Sequence, residues 1–252
     1  MNVLHISTRS KASTTDTGPQ DAKALAHARQ QRAGGVAALY LAGAYIVAMP
    51  FFLLVVDYES LVDPAQKVAA LVANQNSMYV MHLVTYVMFG IVLAPLALAL
   101  WKRLAGAPGI AAVGGVVGLI WACMLVASGL VFNFGAATVI DVYDKSPAQA
   151  VSAWQAIEAV AEGLGSGQGE LLGGLWVLLV SMAALRTGRL PKALNWLGIV
   201  VGTAGIVSVV PVLLPARYAF GLLQIVWFIG LGIVLCRTRQ SEQSQRQSAL
   251  PR

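Results

Sequence analysis

The sequence predicts an all-α, polytopic membrane bundle of six transmembrane helices, both termini in the cytoplasm, with an amphipathic helix on the outer face before the fourth span. Three observations predict it. Of the 252 residues, 58% are hydrophobic and only 11% charged, whereas a soluble domain carries about 25% charged residues; the mean hydropathy is +0.71. Six apolar runs reach or approach the ~20 residues that a helix needs to cross a bilayer core. The basic residues, finally, collect in alternate connections.

At the N-terminal end, "MNVLHISTRSKASTTDTGPQ" is polar, rich in Ser and Thr and without apolar period, so it reads as disordered. "DAKALAHARQQR" reads as a short basic helix lying on the inner leaflet. The first apolar run starts only at Gly34, later than a cleaved signal peptide would place it, so residues 1–33 are expected to stay as a cytoplasmic tail. The spans are expected at about 34–56, 78–101, 110–132, 163–185, 193–214 and 218–236, with 237–252 as a second cytoplasmic tail. None alternates as a membrane barrel strand does, and an open sheet cannot satisfy its backbone in lipid, which leaves a helical bundle.

Two connections on one side carry helices of their own. In "DPAQKVAALVANQ", Asp63 is an N-cap with Pro64 at the first helical position. "SPAQAVSAWQAIEAVAEG" repeats the device with Ser146 and Pro147, and its apolar residues Val151, Trp154, Ile157, Val160 and Leu164 recur at helical spacing.

Charge sets the orientation. The first tail holds Arg9, Lys11, Lys23, Arg29 and Arg32, and the 2–3 loop holds Lys102 and Arg103. The 4–5 loop holds Arg186, Arg189 and Lys192, and the last tail Arg237, Arg239, Arg246 and Arg252. The other side has only Lys67, Lys145 and Arg217, among a larger number of carboxylates. The positive-inside rule therefore places both termini in the cytoplasm of a multi-pass inner (cytoplasmic) membrane protein. The formal charge of +6 then reads as orientation and contact with anionic lipid, and no nucleic acid is expected as a partner. Trp101 and Trp196 fall at inner span ends and Tyr58, Tyr79 and Tyr218 at outer ones, where amphipathic rings settle. Trp121, Trp176 and Trp227 fall mid-span and read as packing residues.

The stretch "EGLGSGQGELLGGLW", 162–176, resembles a phosphate-cradling loop in its alternating glycines. A phosphate loop follows a strand and aims a helix N-terminus at its ligand; here a capped helix comes first and no Gly-Lys-Ser/Thr follows. Gly165, Gly169 and Gly173 instead recur every four residues, the small-xxx-small pattern of helix contacts. Residues 163–169 also read as a bend between the outer helix and span 4. Glu170 falls about 6 Å inside the outer boundary at 1.5 Å per residue, where a carboxylate needs water or a partner.

A possible polar vestibule gathers the residues at that level: Glu170, Asp57, His82, Asn133 and Arg217. His82 and Met78, neighbours one turn apart, are weak candidates for a soft metal; otherwise no metal site and no cofactor is expected. The two cysteines, Cys123 and Cys236, both sit in apolar runs, and no HExxH, CxxC or nucleophile elbow occurs, so no catalytic residue is assigned.

The stretch 173–207, "GGLWVLLVSMAALRTGRLPKALNWLGIVVGTAGIV", resembles the bacterial membrane family catalogued as domain of unknown function 4386. The matching positions are Trp176, Arg186, Thr187, Gly188, Leu190, Pro191, Leu197, Gly198, Gly202 and Gly205. "RAGGVAALYLAG", 32–43, resembles the family's opening. The resemblance implies the six-helix fold and carries over no functional residue, since the family has no established activity.

The leading functional reading is a non-enzymatic membrane protein acting through lipid, through another membrane protein or through a second copy of itself. The alternative is a small-solute or ion transporter or channel with an outward polar vestibule. An intramembrane metal-binding protein or enzyme is the least favoured.

Overall fold

The computed structural model describes residues 19–165 and 170–248, and every regular element among them is helical. The order is α1 (Pro19–Pro50), a π-helical turn (Phe51–Val55), a 3-10 turn (Tyr58–Ser60), α2 (Pro64–Ala73) and α3 (Gln75–His82). A second π segment (Leu83–Met88), α4 (Phe89–Arg103), α5 (Pro108–Tyr143) and α6 (Pro147–Gly165) come next. The chain continues with α7 (Leu171–Thr187), α8 (Lys192–Val207), a 3-10 turn (Pro211–Leu213) and α9 (Ala216–Ser248).

Local chemistry explains the ends. The Asp63 carboxylate accepts the Ala65 N–H at 2.9 Å, capping α2 behind Pro64. α6 opens at Pro147 behind Ser146, whose carbonyl accepts the Ala150 N–H. Gly188 closes α7 in the left-handed region (φ 64°), its N–H reaching the Ala184 carbonyl at 2.9 Å.

Several expected boundaries move. The part of the first tail from Pro19 onward is one continuous helix with span 1, and α9 runs to Ser248 through what read as a flexible tail. Adding a residue to an existing helix is cheap once the span has nucleated it, and Ala, Gln, Glu and Arg propagate well. Residues 1–18 and 249–252 lie outside the described residues, as do Ser166, Gln168 and Gly169 of the glycine run. Span 3 extends to Tyr143, and the helix of span 4 begins only at Leu171. On α6 the buried stripe is Ala150, Trp154, Ala161 and Gly165, while Val160 is exposed; the packed face is rotated from the one read in the sequence.

Among the described residues, four helices are long and apolar enough to cross a membrane: Arg29–Val55, Gln75–Arg103, Pro108–Tyr143 and Ala216–Arg237. α7 and α8 are apolar but shorter, at 17 and 16 residues, or about 24–26 Å against a core of about 30 Å. These six pack as a closed ring, α1 against α4, α4 against α5, α5 against α7, α7 against α8, α8 against α9 and α9 back against α1. α6 lies on α5 outside the ring. Val36, Ile46, Ile91, Val116, Val200 and Val226 face outward as an apolar surface of the kind that meets lipid.

The ring closes on aromatic side chains. Trp176 lies 5.7 Å from Trp121 and 5.6 Å from Trp227, centroid to centroid, and Phe89 continues the cluster to Tyr45 at 5.5 Å. A smaller second core joins α2, α3, the end of α5 and α6 around Val68, Leu71, Phe132 and Trp154. At the opposite end, Arg103 donates to the Gln31 side chain at 3.1 Å and the Arg189 carbonyl at 3.2 Å. That ties α4, α1 and the α7–α8 loop together.

Glycines permit the closest approaches. A Cβ on Gly174 would sit 2.7 Å from the Gly202 carbonyl oxygen and 2.7 Å from the Ile206 nitrogen. Those are backbone atoms that cannot rotate away. Gly174→Ala is therefore expected to lower stability by about 1–3 kcal/mol, as overpacking does. Gly43→Ala, with nothing within 4 Å of the added methyl, is expected to leave the unfolding midpoint in place. Thermal unfolding of the detergent-solubilised protein followed by tryptophan fluorescence checks both.

Candidate functional site

Both π segments sit at the same end of the bundle, and both aim side chains into it. A π turn inserts one residue into the helical register and so re-aims the side chains beyond it; such turns are frequent at functional sites. The Tyr40 hydroxyl donates to the Val84 carbonyl at 2.9 Å and the Thr85 hydroxyl to the Met81 carbonyl at 2.7 Å. Phe52 of the first segment and Tyr86 of the second form a wall shared by two adjoining cavities.

After Phe51–Val55 the chain turns at Asp57, the one non-glycine among the described residues with positive φ (48°). Asp tolerates this left-handed geometry better than most residues. The turn sends Tyr58 and Glu59 in different directions. Tyr58 is buried, not interfacial as its position at a span end implied. Its hydroxyl accepts from Trp154 Nε1 at 2.7 Å and donates to Glu158 Oε1 at 2.8 Å. Lys67 Nζ meets the same Glu158 oxygen at 2.8 Å and lies 5.2 Å above the Tyr58 ring. Burial first, then the Glu158 charge and the hydrogen bond to it, raise the Tyr58 pKa above its usual 10.0. Glu59, on the other side, takes Arg217 at 3.0 Å and the Tyr218 hydroxyl at 2.8 Å.

Between these two clusters opens a cavity of about 300 Å³. Its charged lining is Glu59, Lys67, Glu158, Glu162 and Arg217, and its deeper wall is Met78, His82, Tyr86 and Phe132. A second cavity of about 100 Å³ continues past Phe52 and Tyr86 to Tyr45, Thr85, Trp121, Gly165 and Glu170.

His82 is buried and held by its neighbours. Its ring stacks on Phe132 at 3.4 Å, with Tyr86 at 5.3 Å. Nδ1 lies 2.9 Å from the Met78 carbonyl. A carbonyl only accepts, so Nδ1 carries the proton and the neutral ring keeps its lone pair on Nε2. No described residue bonds to Nε2.

Of the five vestibule candidates, His82 and Arg217 line the larger cavity and Glu170 the smaller. Asp57 and Asn133 line neither. Asp57 shapes the turn, and Asn133 Nδ2 donates to the Tyr79 carbonyl at 3.2 Å, joining α5 to α3. Met78 lines the cavity beside His82. Among the described residues no three His, Cys, Asp or Glu side chains gather in a metal-binding arrangement. Of the packing glycines, Gly165 lies against Ser128 and Tyr86, and Gly173 against Trp121 and Phe220. Gly169 lies outside the described residues, and α6 and α7 are separate helices. Gly174, Gly202 and Gly205 bring the backbones of α7 and α8 against each other.

Sequence reasoning did not place Tyr58, Glu59, Lys67, Glu158, Glu162 and Tyr86 among the vestibule residues. A signal was present for some of them. Lys67 and Arg217 are two of the three basic residues on the acidic side, and each pairs with a carboxylate from a distant segment.

The matched stretch 173–207 forms α7, the α7–α8 loop and α8, with Gly198, Gly202 and Gly205 buried along α8. The family model described as Domain of unknown function (DUF4386) matches residues 3–236. The chain belongs to this family. No curated protein and no solved structure matches the chain. For this DUF4386 member, as for the family description itself, function has to be argued from the cavity.

Two outcomes are expected from the ion clusters. The Glu158 side chain is 13% exposed and that of Glu59 39%. Glu158→Gln should therefore cost about 1.5–3 kcal/mol, as a buried charge-assisted bond does, and Glu59→Gln about 0–1 kcal/mol. Denaturant titration in detergent ranks them. The raised Tyr58 pKa makes its contribution complete below 10.0 and lost as pH climbs from there through the folded value, because the unfolded tyrosine ionises first. The unfolding midpoint of Tyr58→Phe should accordingly fall less steeply than wild type above pH 10.0.

Proposed function

We propose that this protein is a six-span, multi-pass protein of the cytoplasmic membrane, both termini inside, that binds and moves a small polar solute through its outer cavity. One observation carries the reading. Glu59 from the 3-10 turn, Lys67 from α2, His82 from α3, Glu158 and Glu162 from α6 and Arg217 from α9 converge on one cavity. Keeping so many polar groups at the end of an apolar bundle is costly unless they serve a water-filled or ligand-filled space. The smaller cavity carries the path inward to Glu170. The reading through helix contacts with other proteins loses its motivating feature, because the buried glycines Gly165, Gly173, Gly174, Gly202 and Gly205 meet partners inside this same chain. The outward apolar surface is left to lipid.

The closed ring of six apolar helices supports six spans, with α7 and α8 reaching the surfaces through the segments that flank them. A cysteine-free background (Cys123→Ala, Cys236→Ala) tests the orientation. Val62→Cys, at a fully exposed position of the 1–2 connection, should react with an impermeant maleimide on intact cells. Lys192→Cys, exposed at the start of α8, should react only after permeabilisation; the reverse pattern overturns the topology. For transport, proteoliposomes should take up at least one of a panel of small cations, anions and neutral solutes faster than protein-free vesicles. Tyr86→Trp, which crowds the shared wall, should abolish the difference. Uptake equal to that of empty vesicles across the panel sinks the reading.

A further inference from the structure

Charged and neutral polar groups line the two cavities, and they differ in what already occupies them. The charged side chains that the described residues bring there hold partners within the chain. Lys67 meets Glu158 at 2.8 Å and Arg217 meets Glu59 at 3.0 Å, and Glu162 and Glu170 are engaged as well. A charged solute entering this space would have to displace one of those partners or leave its own charge uncompensated. A charge taken out of water without a partner is costly, far more so than a hydroxyl that finds one hydrogen bond.

The neutral groups are the ones left over. His82 is only 6% exposed and lines the larger cavity. Its Nδ1 is turned back to the Met78 carbonyl, so Nε2 lies at the opposite edge of the ring, an acceptor that no described residue bonds. Stacking on Phe132 and Tyr86 fixes the ring plane. A buried acceptor without a donor costs free energy until something supplies one. Ser128 lines the same space; its hydroxyl proton goes to the Ala161 carbonyl at 2.8 Å, which leaves oxygen lone pairs to accept. Tyr86, on the wall shared by both cavities, and Tyr45, on the smaller, bring hydroxyls to which no described residue hydrogen-bonds. A phenol both donates and accepts. The remaining surface is ring face, from Phe52, Phe132 and Tyr86.

We propose that the solute is a small uncharged polyhydric alcohol, one hydroxyl of which donates to His82 Nε2 while another meets the Tyr86 hydroxyl. This rests on the solute-binding reading above and specifies its ligand. A hydroxyl donates and accepts at once, so a polyol serves the acceptors of His82 and Ser128 and the phenols alike, and its C–H surface packs on the rings. The paired charges keep their partners and brace the walls. The volume of about 300 Å³ is at the lower end of the range for small-molecule sites, so a chain of about three or four carbons is the expected size.

The test is uptake of radiolabelled glycerol and erythritol by proteoliposomes of the full-length protein, with protein-free vesicles as baseline. Urea, methylammonium and acetate serve as comparison: a neutral solute without C–H surface, a cation and an anion. At least one polyol should enter saturably, and its uptake above baseline should exceed that of all three comparison solutes. Tyr86→Phe removes only a hydroxyl without a hydrogen bond to any described residue, so it should fold as wild type and raise the KM for the polyol about fivefold. His82→Phe keeps a stacking ring but loses the acceptor, and should raise the KM about tenfold; if that variant does not yield folded protein, Tyr86→Phe decides the point. Thr138→Val, at an exposed hydroxyl of α5 outside the cavities, should behave as wild type. An unaltered KM in Tyr86→Phe or in folded His82→Phe, or a comparison solute that matches the polyols, overturns the proposal. Uptake of urea, methylammonium or acetate without polyol uptake also overturns it and leaves the solute-binding reading standing, whereas no uptake of anything removes both.

Discussion

The bundle depends on large aromatic side chains seated on glycines. Trp176 occupies the centre of the ring, and a Cβ on Gly118 would lie 2.5 Å from its indole nitrogen. Gly173 offers the same recess to Trp121, and Gly198 to Trp227. Without a hydrophobic effect to drive helices together in lipid, close packing has to supply the attraction. A tryptophan provides the most contact area, and a glycine on the facing helix provides the space for it. On the α7–α8 side the same economy brings backbone against backbone at Gly174, Gly202 and Gly205.

This packing is dense in the middle of the bundle and gives way at one end. There, two π segments interrupt α1 and the helix leading into α4, and α6 leans on α5 from outside the ring. The space left over is rimmed by two polar clusters, Trp154–Tyr58–Glu158–Lys67 and Arg217–Glu59–Tyr218. Both clusters connect segments about a hundred or more residues apart in the chain. Each holds the 1–2 connection against a different part of the bundle, the first against α6 and the second against α9. The cavity therefore has a defined shape because two independent sets of charge-assisted bonds hold its edges.

Membrane character, helical class and the breaks between apolar segments were legible without coordinates, because bilayer thickness and hydrogen bonding leave few options. Caps such as Asp63–Pro64 and Ser146–Pro147 were legible because they depend on residues adjacent in the chain. The extent of α1 and α9 was not, since polar composition reads as a tail even where it prolongs a helix. Periodicity alone placed the packed stripe of α6 on Val151, Trp154, Ile157, Val160 and Leu164, whereas the fold keeps Trp154 and buries Ala150, Ala161 and Gly165 beside it. The four-residue spacing of Gly165, Gly169 and Gly173 assumed one unbroken helix, and the chain divides there into α6 and α7.

The sequence by itself determined the helical class and the apolar segments fit to cross a membrane, because composition and the length of apolar runs act through the bilayer and need no partner within the fold. Only the tertiary structure decided which polar residues meet. Asp57 and Asn133 share a depth with His82 in a linear count, yet they shape a turn and brace a helix, while Glu59, Lys67, Glu158 and Glu162 join His82 and Arg217 around the cavity. A left-handed turn at Asp57 and two π segments set those directions. Rotations of this kind arise from packing between distant helices, and depth along a single helix carries no record of them.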